Sequence, residues 1–238
     1  MSGDPFAGVD LEGGILARAS RVGLTLTGAA VVAIAGHARA VLETNRELNL
    51  TGIDEPDVLL DRHVGESLEG AALLGSAPSS APAVASGDAA PSVPRATLVD
   101  LGSGNGYPGL PVAAALGLAP VLVESTGKKA VFLRGVVERW YRDGTVVGRH
   151  VDRAADLAEV AAPVVLTTRA MGGWDKVLPR VAPALAPGGS ILLWAGPEVE
   201  TVARRSAWRA LDVVGRRVIA GRERSWMWWI RRVSRTSR

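Results

Sequence analysis

Residues 97–111, TLVDLGSGNGYPGLP, constrain this chain more than any other stretch. Leu98, Val99 and Leu101 form a short apolar run that reads as a buried strand; Gly102, Gly104 and Gly106 break it, and Pro108 opens an amphipathic helix. Glycines are needed where a ligand touches the main chain, because no Cβ obstructs the approach and positive φ is accessible. Pro108 suits a first helical position, where the N–H it lacks would have no helical partner. The helix start behind the loop then offers unpaired N–H groups to a ligand. A structural glycine-rich turn that binds nothing is the competing reading.

Two cofactor classes fit the loop, since Gly104-Asn105-Gly106-Tyr107-Pro108-Gly109 also satisfies the dinucleotide pattern G-x-G-x-x-G. Glu124 closes a second apolar strand about twenty residues on, where an acid can hydrogen-bond a ribose diol. Both cofactors carry such a ribose. Asp100 favours S-adenosylmethionine, because its carboxylate suits an ammonium and a sulfonium and would repel a pyrophosphate.

Beyond the loop the chain alternates strands and helices, the pattern of a doubly wound parallel sheet. Strands are expected at 120–124, 145–148, 163–168 and 190–194. Helices are expected at 128–141, with Val131, Leu133, Val136, Val137 and Trp140 turned inward, at 174–185 and at 199–210. Residues 213–220 and 225–232 read as a hairpin. The fold class is therefore α/β, a Rossmann-like domain over 96–238. Upstream lies a helical region, 1–75, with a frayed start to about Gly13 and helices at 27–48, capped by Thr27, and 57–74. Residues 76–95, rich in Ser, Ala and Pro, read as a flexible linker. Arg18 and Arg21 before an apolar run resemble a secretory signal, but acids lie upstream and the run is too short to span a membrane. A cytoplasmic location, with no membrane contact, is the expectation.

The chain has no cysteine, which excludes a disulfide framework, a thiolate nucleophile and a thiolate-bound metal. His37, His63 and His150 are too scattered to suggest a metal site. A net charge of +3 permits nucleic-acid binding. Lys128, Lys129, Arg134, Arg139 and Arg142 share one helix, and arginines from Arg204 to Arg238 crowd the C-terminal part; both are candidate phosphate contacts. Trp226, Trp228 and Trp229 could stack on bases, although on a hairpin the core claims at least part of this set.

The segments DLGSGNGYPGLPVAAA, VESTGKKAVFLRGVV and TTRA resemble the glucose-inhibited-division B family, the bacterial 16S rRNA guanine-N7 methyltransferases. The likeness runs from about Asn49 to about Gly196, and Pro-Gly-Leu-Pro is its most specific part. It implies a class I S-adenosylmethionine-dependent methyltransferase acting on 16S rRNA or the small ribosomal subunit, without a metal. By resemblance Gly102 and Tyr107 line the cofactor, Gly104 and Gly106 shape the loop, and Ala154 and Ala155 lie on its adenine side. There the family's Arg-x-Glu is Arg153-Ala154-Ala155, so the Glu is missing. Arg169, at a strand's carboxyl end, is the candidate catalytic side chain and cofactor contact, with pairing to a local carboxylate as the alternative. His63, in RHVGESL, and Asn49, in the NLT turn, are candidate substrate residues along with Lys128. Ala195-Gly196 replaces the family's Lys-Gly.

The chemistry implied is undemanding. Methyl transfer from a sulfonium is an in-line displacement, so the protein must align reactants and exclude water. Guanine N7 offers a lone pair and no proton, so no general base is needed. Two other readings stand beside this one: a relative that methylates a small-molecule acceptor, and a cofactor- or RNA-binding protein without turnover.

Overall fold

The computed structural model describes residues 9–75, 95–219 and 225–233. Most of the expected linker, residues 76–94, lies outside them. Seven strands form one sheet in the order β3-β2-β1-β4-β5-β7-β6. They are β1 (Thr97–Leu101), β2 (Ala119–Val123), β3 (Thr145–Val147), β4 (Val165–Arg169), β5 (Ser190–Ala195), β6 (Leu211–Val218) and β7 (Trp226–Arg232). The first five are parallel, and β7 inserts antiparallel between β5 and β6. The hairpin expected from sequence is present, and its turn lies outside the described residues.

All five residues of β1 are buried, as a central parallel strand requires. Alternation along the strands separates two faces. Val99, Leu101, Val121, Ile191, Leu193 and Trp228 pack under α7 (Trp174–Val181) and α8 (Val199–Val202). Leu98, Leu122, Leu192, Trp194, Met227 and Trp229 face the helices of the other layer.

That second layer contains the N-terminal region. Helix α1 (Leu11–Arg21) was not expected; Asp10 caps it by accepting from the Gly13 N–H at 2.8 Å, and Leu11 and Ile15 are buried. The Gly13-Gly14 pair masked its period. Helix α2 (Gly28–Leu48) starts at Thr27, whose hydroxyl accepts from the Ala30 N–H. The helix expected at 57–74 is three pieces: α3 (Pro56–Leu59), a π-helical stretch at Leu60–Gly65, and α4 (Glu66–Gly75). Arg18 ties α1 to this segment through Asp61 at 2.8 Å.

Helices α5 (Gly109–Leu116) and α6 (Gly127–Trp140) complete the layer. Pro108 is the N-cap of α5 rather than its first residue. Leu110, Pro111, Val112 and Ala113 are all buried, because α2 and α4 cover the side of α5 that faces away from the sheet. The expected amphipathic stripe is therefore absent. On α6, Val131 is 65% exposed instead of inward-facing. The helix expected at 199–210 stops at Val202, because the chain turns inward to bury Trp208, whose indole N–H reaches the Asp175 carbonyl at 2.9 Å. None of the described helices is long and apolar enough to cross a membrane.

A Cβ on Gly70 of α4 would lie 2.7 Å from the buried Trp194 ring. Gly70→Ala should cost about 1–3 kcal/mol by overpacking, read as a lower denaturant midpoint with an unchanged m-value.

Candidate functional site

The strand order reverses between β1 and β4, so a crevice opens at their carboxyl ends, where open α/β sheets bind ligands. The glycine loop forms its floor. Ser103 N–H bonds to the Val123 carbonyl and Gly106 N–H to the Ser103 carbonyl, at 2.9 and 2.7 Å. Gly104 has φ +57, and a Cβ there would meet nothing nearer than the Gly102 carbonyl at 3.9 Å, so the space above it is open.

Asp100 lies beneath the first turn of α5. A Cβ on Gly109 would sit 2.8 Å from Asp100 Oδ2, so the family-like Pro-Gly-Leu-Pro needs its glycine for packing. Thr167 donates to Asp100 Oδ1 at 2.6 Å, while Oδ2 is buried with no hydrogen-bond partner among the described residues. Burial pushes this carboxyl up to about 6, against the favourable Thr167 bond and the charge of Arg169. The carboxylate sits under the first turn of α5, against Gly109, directly below the glycine loop. Glu124 is buried too; it accepts from Gly104 N–H at 2.8 Å and from Thr126 N–H at 2.6 Å. It thereby ties the loop to the start of α6, and its remaining lone pairs can meet a diol.

Tyr107, expected by resemblance to line the cofactor, is 3% exposed, and its ring stacks on His37 at 4.3 Å and on His63 at 4.8 Å. His37, not anticipated as a site residue, donates from Nε2 to the Asn105 carbonyl at 2.7 Å, and burial lowers it to about 4, so it is neutral at pH 7. Its position on the buried stripe of α2, three residues after Ile34, was the available signal.

Arg169 stands at the end of β4 as expected, and its guanidinium reaches the N-terminal layer. It donates to the Arg62 carbonyl at 3.2 Å, to Glu66 Oε2 at 3.4 Å and to His63 Nδ1 at 2.6 Å. The local carboxylate is thus Glu66. Because Nδ1 accepts from Arg169, Nε2 of His63 carries the proton and donates to Thr51 Oγ1 at 3.0 Å. After Arg169, Ala170 takes a left-handed φ of 55, rare for alanine, and Met171 then lies beside Gly102.

The other expected residues are more dispersed. Asn49 is the exposed left-handed C-cap of α2. Ala154 and Ala155 form a 3-10 turn after β3, organised by Asp156, which accepts from the Asp152 and Arg153 N–H groups. Lys128 is exposed in the first turn of α6. The Ala195 and Gly196 carbonyls receive the Trp228 indole N–H. Trp228 and Trp229 are buried, so they are core residues, and Arg216 lies over the half-buried Trp226 ring at 4.4 Å. Arg205 pairs with Asp175, and Arg216 pairs with Glu200. Among the described residues no cluster of three or more acids and histidines could hold a metal.

The sheet, with its inserted antiparallel strand and glycine loop, defines a Rossmann-like class I methyltransferase fold. TrmN from Thermus thermophilus shares it with a TM-score of 0.51 at 14% identity, over 70% of this chain and 49% of its own. A chain of the fibrillarin/Nop5p complex does so at 0.50 and 12% identity, over 58% and 73%. The family model "GidB: rRNA small subunit methyltransferase G" matches residues 32–224. Relatives named ribosomal RNA small subunit methyltransferase G include those of Sorangium cellulosum, 31% identical over 82% of this chain and 76% of theirs, and Chloroflexus aggregans, 35% identical over 74% and 68%. The chain belongs to the GidB family.

Two measurements test this geometry. Arg169→Ala removes a partner of a Glu66 side chain that is 8% exposed, and should cost about 1.5–3 kcal/mol, read as a clear fall in thermal midpoint. For His37 the free chain titrates near 6.5 and the folded one near 4, so the unfolded state binds more protons between these values and stability rises with pH across that window. The stability advantage of wild type over His37→Gln should therefore grow from pH 4 to 6.5 and level off above, in urea titrations.

Proposed function

We propose that this protein transfers a methyl group from S-adenosylmethionine to N7 of a guanine in 16S rRNA, acting on the small ribosomal subunit in the cytoplasm. The observation that carries this reading is the family match over residues 32–224, which includes the whole glycine-loop crevice. Bound S-adenosylmethionine supplies an electrophilic methyl group on a good leaving group. Asp100 would supply negative charge toward the ammonium, Glu124 would meet the ribose, and the 3-10 turn at Ala154–Leu157 would border the adenine through its backbone. The open space over Gly104 admits the ligand against the main chain.

Guanine N7 presents a lone pair and no proton, so alignment and water exclusion are the protein's task. This fits a site in which His37 and His63 are both engaged in stacking on Tyr107 and in hydrogen bonds. Arg169 acts here as a positioning residue: it holds the 62–66 segment against the end of β4, and so sets one wall of the crevice. The absence of a cation at Ala195 is the observation behind a second reading, a small-molecule acceptor.

The test is transfer of labelled methyl from S-adenosylmethionine to unmodified small ribosomal subunits, with the modified nucleoside identified by mass. Label in 7-methylguanosine at one site is expected. Gly104→Asp, which places bulk and charge in the loop beside Glu124, should lose both cofactor binding by calorimetry and transfer. Label in small metabolites but not in subunits would replace the ribosomal reading with the second one.

A further inference from the structure

A groove of about 520 Å³ runs between α2 and α6, on the outer side of the second layer. This volume lies within the roughly 300–1,000 Å³ typical of ligand clefts. Its walls are Ala40, Thr44 and Leu48 from α2, and its floor is built from Phe132, Val136 and Trp140 of α6. Lys128 lines it near the start of α6 and Arg139 near the end, both exposed, and no carboxylate among the described residues lines it. The two cations are separated by eleven residues of helix, about 16 Å along its axis.

Three features distinguish this groove from ordinary helix packing. Val131 leaves 65% of its surface in water, an apolar exposure at the lip of an apolar trough. Gly135 is the point where α6 has no side chain, and a Cβ there would meet nothing within 4 Å, so the trough is open at mid-helix. Lys128 follows Thr126, whose N–H binds Glu124 at 2.6 Å, so one end of the groove adjoins the crevice at the carboxyl edge of the sheet.

We propose that this groove holds a single-stranded segment of the substrate RNA, flanking the nucleotide that is methylated. An apolar and aromatic floor between two cations matches the alternation of base and phosphate in an unpaired strand: bases lie against the half-buried Phe132 and Trp140, and phosphates meet Lys128 and Arg139. The absence of a lining carboxylate removes the repulsion such a strand would otherwise meet. The inference rests on the RNA reading above and adds to it a docking surface outside the crevice.

Gly135→Glu tests it without disturbing the fold, because the new side chain enters open space on a helix where glycine is a poor former. The introduced carboxylate fills the trough and offers Arg139, one turn on, an ion-pair partner. The expected result is an approximately tenfold higher KM for unmodified small subunits, the size of one lost base contact. Cofactor affinity and kcat should stay near wild type and the thermal midpoint should not fall, and Gly135→Ala should keep the wild-type KM while its midpoint rises slightly. An unchanged KM in Gly135→Glu, with wild type active, overturns the groove assignment alone. If wild type transfers no methyl to subunits, the functional reading fails instead. The groove is then judged by fluorescence anisotropy with a labelled single-stranded RNA dodecamer: weaker binding by Gly135→Glu than by wild type supports it, and equal or absent binding overturns it.

Discussion

The crevice depends on how closely a helical layer can approach the central strand. A Cβ on Gly106 would lie 2.8 Å from both His37 Nε2 and Leu110 Cδ1, and one on Gly109 would lie 2.5 Å from Asp100 Cβ. Without those two glycines neither α2 nor α5 could rest where it does. Their absent side chains let His37 bond the Asn105 carbonyl from above and let Asp100 sit buried below. The loop is thus clamped between two layers, so its open upper face is preorganised and needs little ordering when a ligand arrives.

Electrostatics join the same parts. Arg169 links β4 to the 62–66 segment through a carbonyl, a carboxylate and an imidazole, and His63 passes the connection to Thr51. Tyr107 inserts between His63 and His37. The N-terminal region is therefore structurally part of the site, in physical contact with the glycine loop and with the end of β4. His37 and His63 serve here as flat, hydrogen-bonding packing pieces on either side of Tyr107.

Legibility from sequence followed the range of the forces involved. Strand β1, the loop and α6 were readable because apolar runs and glycines report local conformation. Thr27 declared the start of α2 by the same logic. Helix α1 was hidden because Gly13-Gly14 lowers local helix propensity while Asp10 and the burial of Ile15 compensate. The helix expected to reach 210 was cut short by a tertiary gain, the burial of Trp208, which no local periodicity registers. Val131 looked inward on a helical wheel and is exposed, because the groove beside it is left open by Gly135.

The sequence by itself determined the fold class and the place of the crevice: a buried strand, a loop of glycines and an acid at the end of the next strand specify a parallel sheet with a crevice at its carboxyl edge. The motif's wording also carried the family. Only the tertiary structure decided what the individual side chains do. Tyr107 stacks on two imidazoles that lie far apart in sequence, and Arg169 found Glu66 more than a hundred residues away. Such partners are fixed by long-range packing, and a single sequence records the residues without recording which of them meet.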